Sequence, residues 1–293
     1  MKASPVSLFD RLVDEALRNR HALAPLRAVV EKELLHHDIL RVLSDAGLLA
    51  HLTFIGDTCL RACYGSNRLS EDLDFTGGAY FTRASLAAMS QVLIDNLKAK
   101  YGLLIEVSEP TRVVGNVDTW KLKVQTRPER KDLAAQRVNI DVCAIPSYQA
   151  QPRVLLNPYG VEMGTSGLIV QAQSREEIFA DKILAFALRP NWIKNRDLWD
   201  IGWLYQQGVK PALELVPAKL NDHRVAASSC LQLLEARRLS MHDDAKIAAD
   251  FKQEMRRFLP QTIVADTVSK PEYWLFLVGL VDELCAKTIR SIQ

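Results

Sequence analysis

The sequence predicts an α+β fold in two parts, a mixed β-sheet with flanking helices over residues 1–160 and a helical domain over residues 161–293. Two observations predict it. In the first part, short β-prone segments alternate with helical ones, whereas from Ser174 onward the apolar residues recur with a helical period almost to the end. A stretch that contains Pro and Gly, residues 152–167, marks the boundary between the parts.

The first elements are helices within residues 6–50, where apolar residues recur about every 3.6 positions. A β-prone run follows over residues 51–55 and is ended by Gly56. Residues 58–64 are predicted to be helical again, and residues 72–75 form a second short strand. The order strand, Gly turn, helix and strand places two polar segments close together in the chain.

A long helix is predicted over residues 84–100. Three strands with alternating apolar positions follow, over residues 103–108, 120–126 and 138–144. Polar segments rich in turn-forming residues separate these strands. The first part of the chain therefore predicts helices packed on a small mixed sheet.

The helical part begins with Ser174-Arg-Glu-Glu177, the pattern of a capping box. In such a box the Ser hydroxyl and the Glu carboxylate each accept a hydrogen bond from an amide of the first turn. The helix that starts here is predicted to reach Leu188, and another covers residues 195–206.

The composition is that of an ordinary globular chain, with 48% hydrophobic and 25% charged residues, which excludes disordered and fibrous classes. A formal net charge of +2 is too mild to indicate a nucleic-acid binder by itself, but it leaves room for a local basic groove. Five scattered cysteines, without the further pairs of a zinc site, predict reduced thiols. No signal peptide and no bilayer-length apolar run is visible, so a soluble, cytoplasmic protein with no membrane partner is expected.

Two carboxylates carry the most informative chemistry. In a strand, Asp72 and Asp74 point to one face, while Leu73 and Phe75 point into the core. Neighbouring carboxylates repel each other unless a cation neutralises them. Mg²⁺ is the natural candidate, with Mn²⁺ as the alternative, because a hard ion of this kind takes one or two carboxylates plus phosphate oxygens.

The loop after Ile55 supplies the complementary half of such a site. A strand that runs through Gly56 into a helix near Thr58 offers backbone N–H groups and a hydroxyl to phosphate oxygens. A cation and amides together suit phosphoryl transfer from a nucleoside triphosphate (NTP). Asp141, on the outer face of the strand over residues 138–144, is the candidate for a third carboxylate, and a solvated strand face is an equally good reading of it.

A second polar cluster lies on the helices that follow Ser174. Lys182 and Arg189 are seven residues apart, hence on one helix face, and both could contact a triphosphate. On the next helix, Arg196 and Asp200 are an i,i+4 pair and Asp197 and Asp200 an i,i+3 pair. A plain ion pair worth about 0.3–0.5 kcal/mol explains Arg196 and Asp200 nearly as well as a catalytic role.

Other polar residues fit no ligand set. The acidic and histidine side chains of the second helix are expected to be exposed; they are Glu31, Glu33, His36 and His37. Several basic residues are candidate contacts for RNA phosphates. They are Arg127, Arg130, Lys131, Arg237, Arg238, Arg256 and Arg257.

Taken together, these residues form two groups of motifs. They read Gly56-Asp-Thr58, Leu60-Arg61, Tyr64, Arg68 and Ser70-Glu-Asp-Leu-Asp-Phe75, and then Ala180-Asp-Lys182, Arg189 and Arg196-Asp-Leu-Trp-Asp200. Over roughly residues 30–205 the chain resembles the AbiEii/AbiGii abortive-infection nucleotidyltransferase toxins of the polymerase-β-like superfamily. The resemblance implies a nucleotidyltransferase-fold domain, binding of an NTP and Mg²⁺, and a toxin of a type IV toxin–antitoxin or phage-defence pair.

The resemblance also implies an acceptor, a partner and site residues. Some members of the family transfer nucleotides to the 3′ end of tRNA, and the cognate antitoxin is encoded separately, a transcriptional repressor being one candidate. Asp72 and Asp74 become metal ligands, Lys182 the triphosphate contact and Asp200 an acidic catalytic helper, with Asp141 matching the third carboxylate by strand position. The implied nucleotide-binding set is Gly56, Asp57, Thr58, Arg68, Ser70, Lys182, Arg189, Arg196 and Asp197.

The chain departs from the family pattern at Asp57, where a second Gly is usual. A carboxylate beside a phosphate loop weakens anion binding unless it points away or meets the metal. Two other functions therefore stay open from the sequence. One is nucleotidyl transfer to a small molecule or a protein, and the other is a non-catalytic nucleotide-binding module.

Overall fold

The structure is a computed structural model that describes residues 7–111, 115–130, 132–189 and 192–293. Val6, where the first helix is predicted to start, lies outside these residues. The chain forms two compact units. The sheet unit comprises residues up to Pro146 together with Ala150–Ala172, and the helical unit comprises Ser147–Gln149 and Gln173–Gln293.

The sheet unit is built on one mixed β-sheet. Its strands are β1 Thr53–Ile55, β2 Leu73–Thr76, β3 Leu104–Ser108, β4 Val117–Gln125, β5 Gln136–Cys143, β6 Ala150–Val154 and β7 Ile169–Gln173. They lie in the order β3-β4-β5-β2-β1-β7-β6. The pairs β2–β5 and β1–β7 are parallel, whereas β1–β2, β3–β4 and β4–β5 are antiparallel. The predicted α+β class, a mixed sheet followed by helices, is confirmed.

Helices cover one face of this sheet. The helices of the unit are α1 Leu8–Asn19, α2 Arg27–Asp45, α3 Gly56–Tyr64 and α4 Met89–Tyr101. Helix α2 packs on β5 and on α4, and α4 packs on β3. The strand residues on this side, such as Trp120, Leu122, Val138 and Ile140, are buried. Their neighbours along each strand point to the opposite face, which is where the polar side chains of β2, β4 and β5 lie.

The helical unit contains the remaining helices of the described chain. They are α5 Arg175–Leu188, α6 Asn195–Gln206, α7 Val216–Asp222, α8 Ala227–Asp243, α9 Ala245–Met255, α10 Gln261–Asp266 and α11 Pro271–Ile292. Helices α5 and α6 begin and end where the sequence predicts. They pack against each other, and α8 packs on α5 and on α11.

The predicted capping box at the start of α5 is only half correct. The Ser174 hydroxyl accepts from the Glu177 amide at 3.1 Å, as expected. The Glu177 carboxylate does not return the bond, because it is buried and accepts instead from Lys219 Nζ at 2.7 Å and from the Gln149 amide at 2.7 Å. A buried carboxylate without a cation is costly, so the side chain of Glu177 pairs with Lys219.

Two further predictions are corrected by tertiary structure. The helix expected over residues 84–100 begins only at Met89, after a 3₁₀ turn over Arg83–Leu86. The sequence does not predict strands β6 and β7, which lie at the two ends of the Pro- and Gly-containing stretch 152–167 that it indicates as the boundary between the parts. Strand β7 nevertheless pairs with β1, with Ala172 beside Phe54.

The polar side chains of α2 were expected to be exposed, and this is also wrong. The four side chains Glu31, Glu33, His36 and His37 are buried. The acids are tolerated because each meets a cation, Glu31 through Arg27 at 3.1 Å and Glu33 through Arg61 at 3.1 Å. The histidines are tolerated as neutral rings, since burial lowers the pKa of His36 and lowers that of His37 to about 4.

The longest helix in the described residues is α11, with 22 residues. Charged side chains interrupt its apolar sequence at Glu272, Asp282, Glu283 and Lys287. In the part of the chain that the structure describes, no helix combines the length and apolar character needed to cross a membrane.

Candidate active site

The turn between β1 and α3 depends on Gly56. Its φ is +75°, in the left-handed region that residues with a Cβ rarely adopt. A Cβ on Gly56 would also lie 3.0 Å from Asp74 Oδ2. Ile55 at the N-cap offers no side-chain cap to the first amides of α3. The turn therefore brings a carboxylate close to a helix N-terminus, where N–H groups suit a phosphate.

Two of the predicted carboxylates share one row of the sheet. Asp74 in β2 lies beside Asp141 in the parallel strand β5, in register. Both are half-buried, whereas Leu73 and Phe75 on either side of Asp74 are buried in the core, as the alternation predicts. Neighbouring strands lie about 4.8 Å apart, so the two carboxylates stand side by side on the open face. Such a pair is stabilised by a cation.

Asp72 is held by the backbone around it. It lies just before β2, and its Oδ1 accepts from the Asn139 amide of β5 at 2.8 Å. The Thr58 hydroxyl donates to the Asp72 carbonyl and lies 2.6 Å from Ser70 Oγ. Thr58 and Ser70, both predicted to contact nucleotide, are buried and bond to the segment that carries the aspartates.

The carboxylates at this site offer a partial set of ligands for the predicted cation. Among the described residues, no three His, Cys, Asp or Glu side chains converge as a complete metal site. Mg²⁺ does not require one, because it commonly binds one or two protein carboxylates and completes its shell with substrate phosphates and water. The Asp74–Asp141 row has the oxygen chemistry for this partial set, with Asp72 in the adjoining position of the chain.

Asp57, the departure from the family pattern, points into the protein. Its side chain is 7% exposed, and its Oδ2 accepts from Arg68 Nη2 at 3.0 Å. The Arg68 side chain is 1% exposed and also donates to the Leu69 carbonyl at 3.0 Å. A buried charge of this kind persists only with a partner. The pair accounts for an acid in the loop, because Arg68 compensates its charge in the interior.

Glu33 supports the same loop and was missed as a functional residue. Its Oε1 accepts from the Ser70 amide at 2.9 Å, and its carboxylate also binds Arg61 and the Tyr159 hydroxyl. Burial alone would lower the pKa of Arg61, but the charge of Glu33 raises it above the ordinary value. A polar residue at a position that the helical period assigns to the core is the sequence signal that could have found it.

The second predicted cluster lies within the helical unit. Lys182 Nζ of α5 is 2.6 Å from Asp197 and 2.8 Å from Asp200, both on α6, and all three side chains are less than a tenth exposed. Arg189 Nε adds a contact to Asp197 at 3.2 Å. Burial alone would raise the pKa of Asp197, yet the charges of Lys182, Lys194 and Arg189 hold it below its ordinary value.

Arg196 lies at the start of α6. Its guanidinium is 3.4 Å from Glu254 of α9 and lies over the Phe258 ring at 4.9 Å. The ion pairs described for α6 therefore join it to other helices, Arg196 to α9 and Asp200 to α5. The roles of Lys182, Arg189, Arg196, Asp197 and Asp200 towards nucleotide stay predictions.

Replacing Thr58 by Val is expected to weaken the Mg²⁺ binding that the sequence predicts. The isosteric side chain removes the hydroxyl that donates to the Asp72 carbonyl, and hydrogen bonds that orient metal ligands are worth about 10- to 100-fold in metal affinity. Titration of activity with Mg²⁺ measures the shift. Thr58→Ser keeps the hydroxyl and is expected to restore the affinity. Equal losses in both variants would show that the methyl group, not the hydrogen bond, matters.

Comparisons with known proteins concern the family and the fold. The family model of the AbiEii nucleotidyl transferase toxin, type IV toxin–antitoxin system, matches residues 38–273. MenT4, a nucleotidyltransferase toxin from Mycobacterium tuberculosis, is 19% identical with a TM-score of 0.52, over 95% of this chain and 92% of that one. JHP933 from Helicobacter pylori is 17% identical with a TM-score of 0.44, over 89% and 93%. No curated protein matches the sequence with significance.

The likeness to MenT4 supports the fold, since its identity is too low to carry more. The family match reaches Tyr273 and so takes in the helices after residue 205, which the resemblance from motifs alone left unplaced. It contains both clusters described above, the aspartate row and the Lys182 cluster. Because this match spans most of its length, the chain belongs to the AbiEii nucleotidyltransferase toxin family of type IV toxin–antitoxin systems.

Proposed function

We propose that this nucleotidyltransferase transfers a nucleotidyl group from an NTP to the 3′ end of an RNA, tRNA being the expected acceptor. The observation that carries the proposal is the row formed by Asp74 and Asp141, in register on the open face beside the Gly56 turn. A cation site next to uncapped helix amides is the combination that a triphosphate needs.

Asp74 and Asp141 are the residues that would hold Mg²⁺, or Mn²⁺ in its place, with Asp72 as the further ligand that the sequence predicts. The ion supplies Lewis-acid polarisation of the phosphate oxygens. The chain itself orients the carboxylates, through the β2–β5 register, the Asn139 amide and the Thr58 hydroxyl. The residues fit the ion by the chemistry of their oxygens and by leaving part of its shell to substrate.

The proposed reaction is a displacement at the α-phosphorus of the NTP. The acceptor hydroxyl oxygen forms the new P–O bond, the bond to the β-phosphate bridge breaks, and pyrophosphate leaves. The hydroxyl proton passes to a carboxylate, for which Asp141 is the candidate on the sheet face. The first amides of α3 bind phosphate oxygens and orient the triphosphate. Positioning of this kind, with charge compensation, carries most of phosphoryl-transfer catalysis.

Family membership supports an RNA acceptor over the alternatives. The chain belongs to a family of type IV toxins, which implies an antitoxin partner, and the resemblance to this family implies transfer to tRNA because some of its members add nucleotides to the 3′ end of tRNA. The alternative of a non-catalytic module was suggested by Asp57. Since Arg68 neutralises that carboxylate inside the protein, its charge no longer argues against a bound triphosphate. A repressor protein is a candidate for the antitoxin.

The test is labelling of RNA. The full chain is incubated with total RNA, Mg²⁺ and each of the four radiolabelled NTPs in turn, and the products are separated on a gel. A labelled band of tRNA size is expected with at least one NTP, and it should vanish when Mg²⁺ is chelated. Label that appears only in protein, or only in small molecules added as acceptors, would refute the RNA proposal while leaving the enzyme class intact.

A further inference from the structure

The open face of the sheet continues beyond the aspartates across β5, β4 and β3. Because cross-strand partners share a face, the register gives its rows. Asp141 lies beside Thr119 in the first row. In the second row Asn139 lies beside Lys121, which faces Ser108. In the third row Arg137 lies beside Lys123, which faces Glu106.

Three cations therefore stand on the same face as the carboxylates. This basic strip consists of Lys121, Lys123 and Arg137. Lys121 and Arg137 are exposed, and neither makes an ion pair with another residue in the described ranges. Lys123 lies 3.0 Å from Glu106, in a pair whose side chains are both about half exposed. Such an exposed pair is worth little and opens readily to another anion.

The strip cannot turn away from the site. Its residues alternate with Trp120, Leu122, Val138 and Ile140, which are buried under the helices. Turning the cations to the other face would shift the register by one residue and expose this core. The cations are thus held on the open face by the packing of the opposite one.

The strip adjoins the aspartates directly. The backbone N–H of Asn139, in the second row, donates to Asp72 Oδ1, and Lys121 is the next residue across the sheet. Two strand spacings separate β2 from β4, about 10 Å in all. Arg137 lies two residues before Asn139, about 7 Å along β5. A polyanion that reaches the aspartate row from this side must cross these cations.

We propose that the basic strip binds the phosphodiester backbone of the RNA whose 3′ end enters the site, an inference that rests on the proposed function. Cations at intervals along one open surface match the spaced phosphates of a nucleic-acid backbone. A small molecule or a protein acceptor does not carry such a row of phosphates. The carboxylates next to the strip would repel RNA, so flanking cations are what lets an anionic strand approach.

Two other basic residues predicted from the sequence lie outside the strands of this face: Arg127 meets acids of the helices, and Arg130 lies in the loop before β5. Arg127 lies 2.8 Å from Asp10 and also contacts Glu31, and Arg130 lies 2.7 Å from Asp132. Lys131 lies outside the described residues.

The salt dependence of binding gives the expected size of the effect. Each phosphate neutralised by a cation contributes about 0.7 to the slope of log K against log salt for a single strand and about 0.9 for a duplex. Losing the contacts of Lys121 and Arg137 should flatten the slope by about 1.4 to 1.8. Over a tenfold range of salt, a change of 1.4 corresponds to about 25-fold in affinity.

The experiment measures tRNA binding by the full chain across a salt series. The test variant is Lys121→Glu with Arg137→Glu, backed by the milder Lys121→Gln with Arg137→Gln. The matched control is Lys98→Glu with Arg18→Glu, one exposed Lys and one exposed Arg on α4 and α1, the helices of the covered side. We expect the slope to flatten in both test variants and not in the control, with NTP binding in the absence of RNA unchanged.

The outcomes separate this inference from the proposed function. An unchanged slope in the test variants, or an equal change in the control, overturns the inference, and so does a loss of NTP binding, which would assign the strip to the triphosphate. If the wild type labels RNA but the slope does not move, the function stands without the strip. If the slope moves but no RNA is ever labelled, the strip binds RNA and the proposed transfer fails.

Discussion

Asp74→Asn is expected to lower the rate of nucleotidyl transfer by about 10³-fold or more. The change keeps the shape of the side chain and removes its charge from the Asp74–Asp141 row. A catalytic metal contributes several kcal/mol of transition-state stabilisation, and each 1.36 kcal/mol is a factor of ten in rate. Steady-state labelling of RNA with saturating NTP and a range of Mg²⁺ concentrations measures the loss.

The control for Asp74→Asn is Asp95→Asn on the exposed side of α4, which removes the same charge away from the row. Its activity should stay at the wild-type level. Asp74 is only half-buried, so thermal unfolding of the Asn variant is expected to stay close to that of the wild type. Activity within tenfold of the wild type, with the fold intact, would remove Asp74 from the proposed metal set.

The aspartate row was predictable because its signal is local. Period-two alternation around Leu73 and Phe75 sets the direction of Asp74, and the same alternation around Ile140 sets that of Asp141. The buried apolar residues hold the strands, so the polar ones face outward. What the sequence did not determine was that β2 and β5 are neighbours in register, which is a pairing between distant segments.

Burial of charge was not predictable, because it depends on distant partners. Glu33 stays buried only because Arg61 and Tyr159 reach it from other segments. Glu177 likewise pairs with Lys219 on α7 and does not cap its own helix. A single sequence shows the acid but not the cation that will meet it. The charge of such a residue then predicts an exposed position, even where the helical period places it among core residues.

Asp57 shows the same limit inside the predicted site. From the sequence of the loop alone, the carboxylate of Asp57 is expected to weaken phosphate binding. The structure pairs it with Arg68, eleven residues later, and both are buried. Two residues that the resemblance places in the nucleotide set thus form an internal support of the turn. The sequence identified the segment that carries the turn. The direction of the Asp57 and Arg68 side chains depends on the packing of the interior, which the sequence does not show.

Lys182→Met is expected to destabilise the full chain by about 3–5 kcal/mol at pH 7. The variant keeps the length of the side chain but leaves Asp197 and Asp200 buried without their shared cation, which lies 2.6 and 2.8 Å from them. Removing one partner of a buried ion pair costs about this much, because the remaining charge is uncompensated. Urea unfolding of the variant and the wild type measures the difference. Lys210→Met, at an exposed position of the same unit, is expected to change stability by less than about 0.5 kcal/mol.

The deficit of Lys182→Met should depend on pH in a stated direction. In the wild type, neighbouring cations hold the pKa of Asp197 below 3.8, so its stabilising charge is present above that value and is lost only as pH falls below it. Without Lys182, burial favours the neutral form of Asp197 and moves the pKa of this carboxyl group upward. The variant can then take up a proton, so the deficit should shrink as pH falls from 7 toward 3.8. Adding Asp200→Asn should recover part of it at pH 7. A deficit that stays constant with pH, or that Asp200→Asn enlarges, would show that Lys182 acts through packing and not through charge.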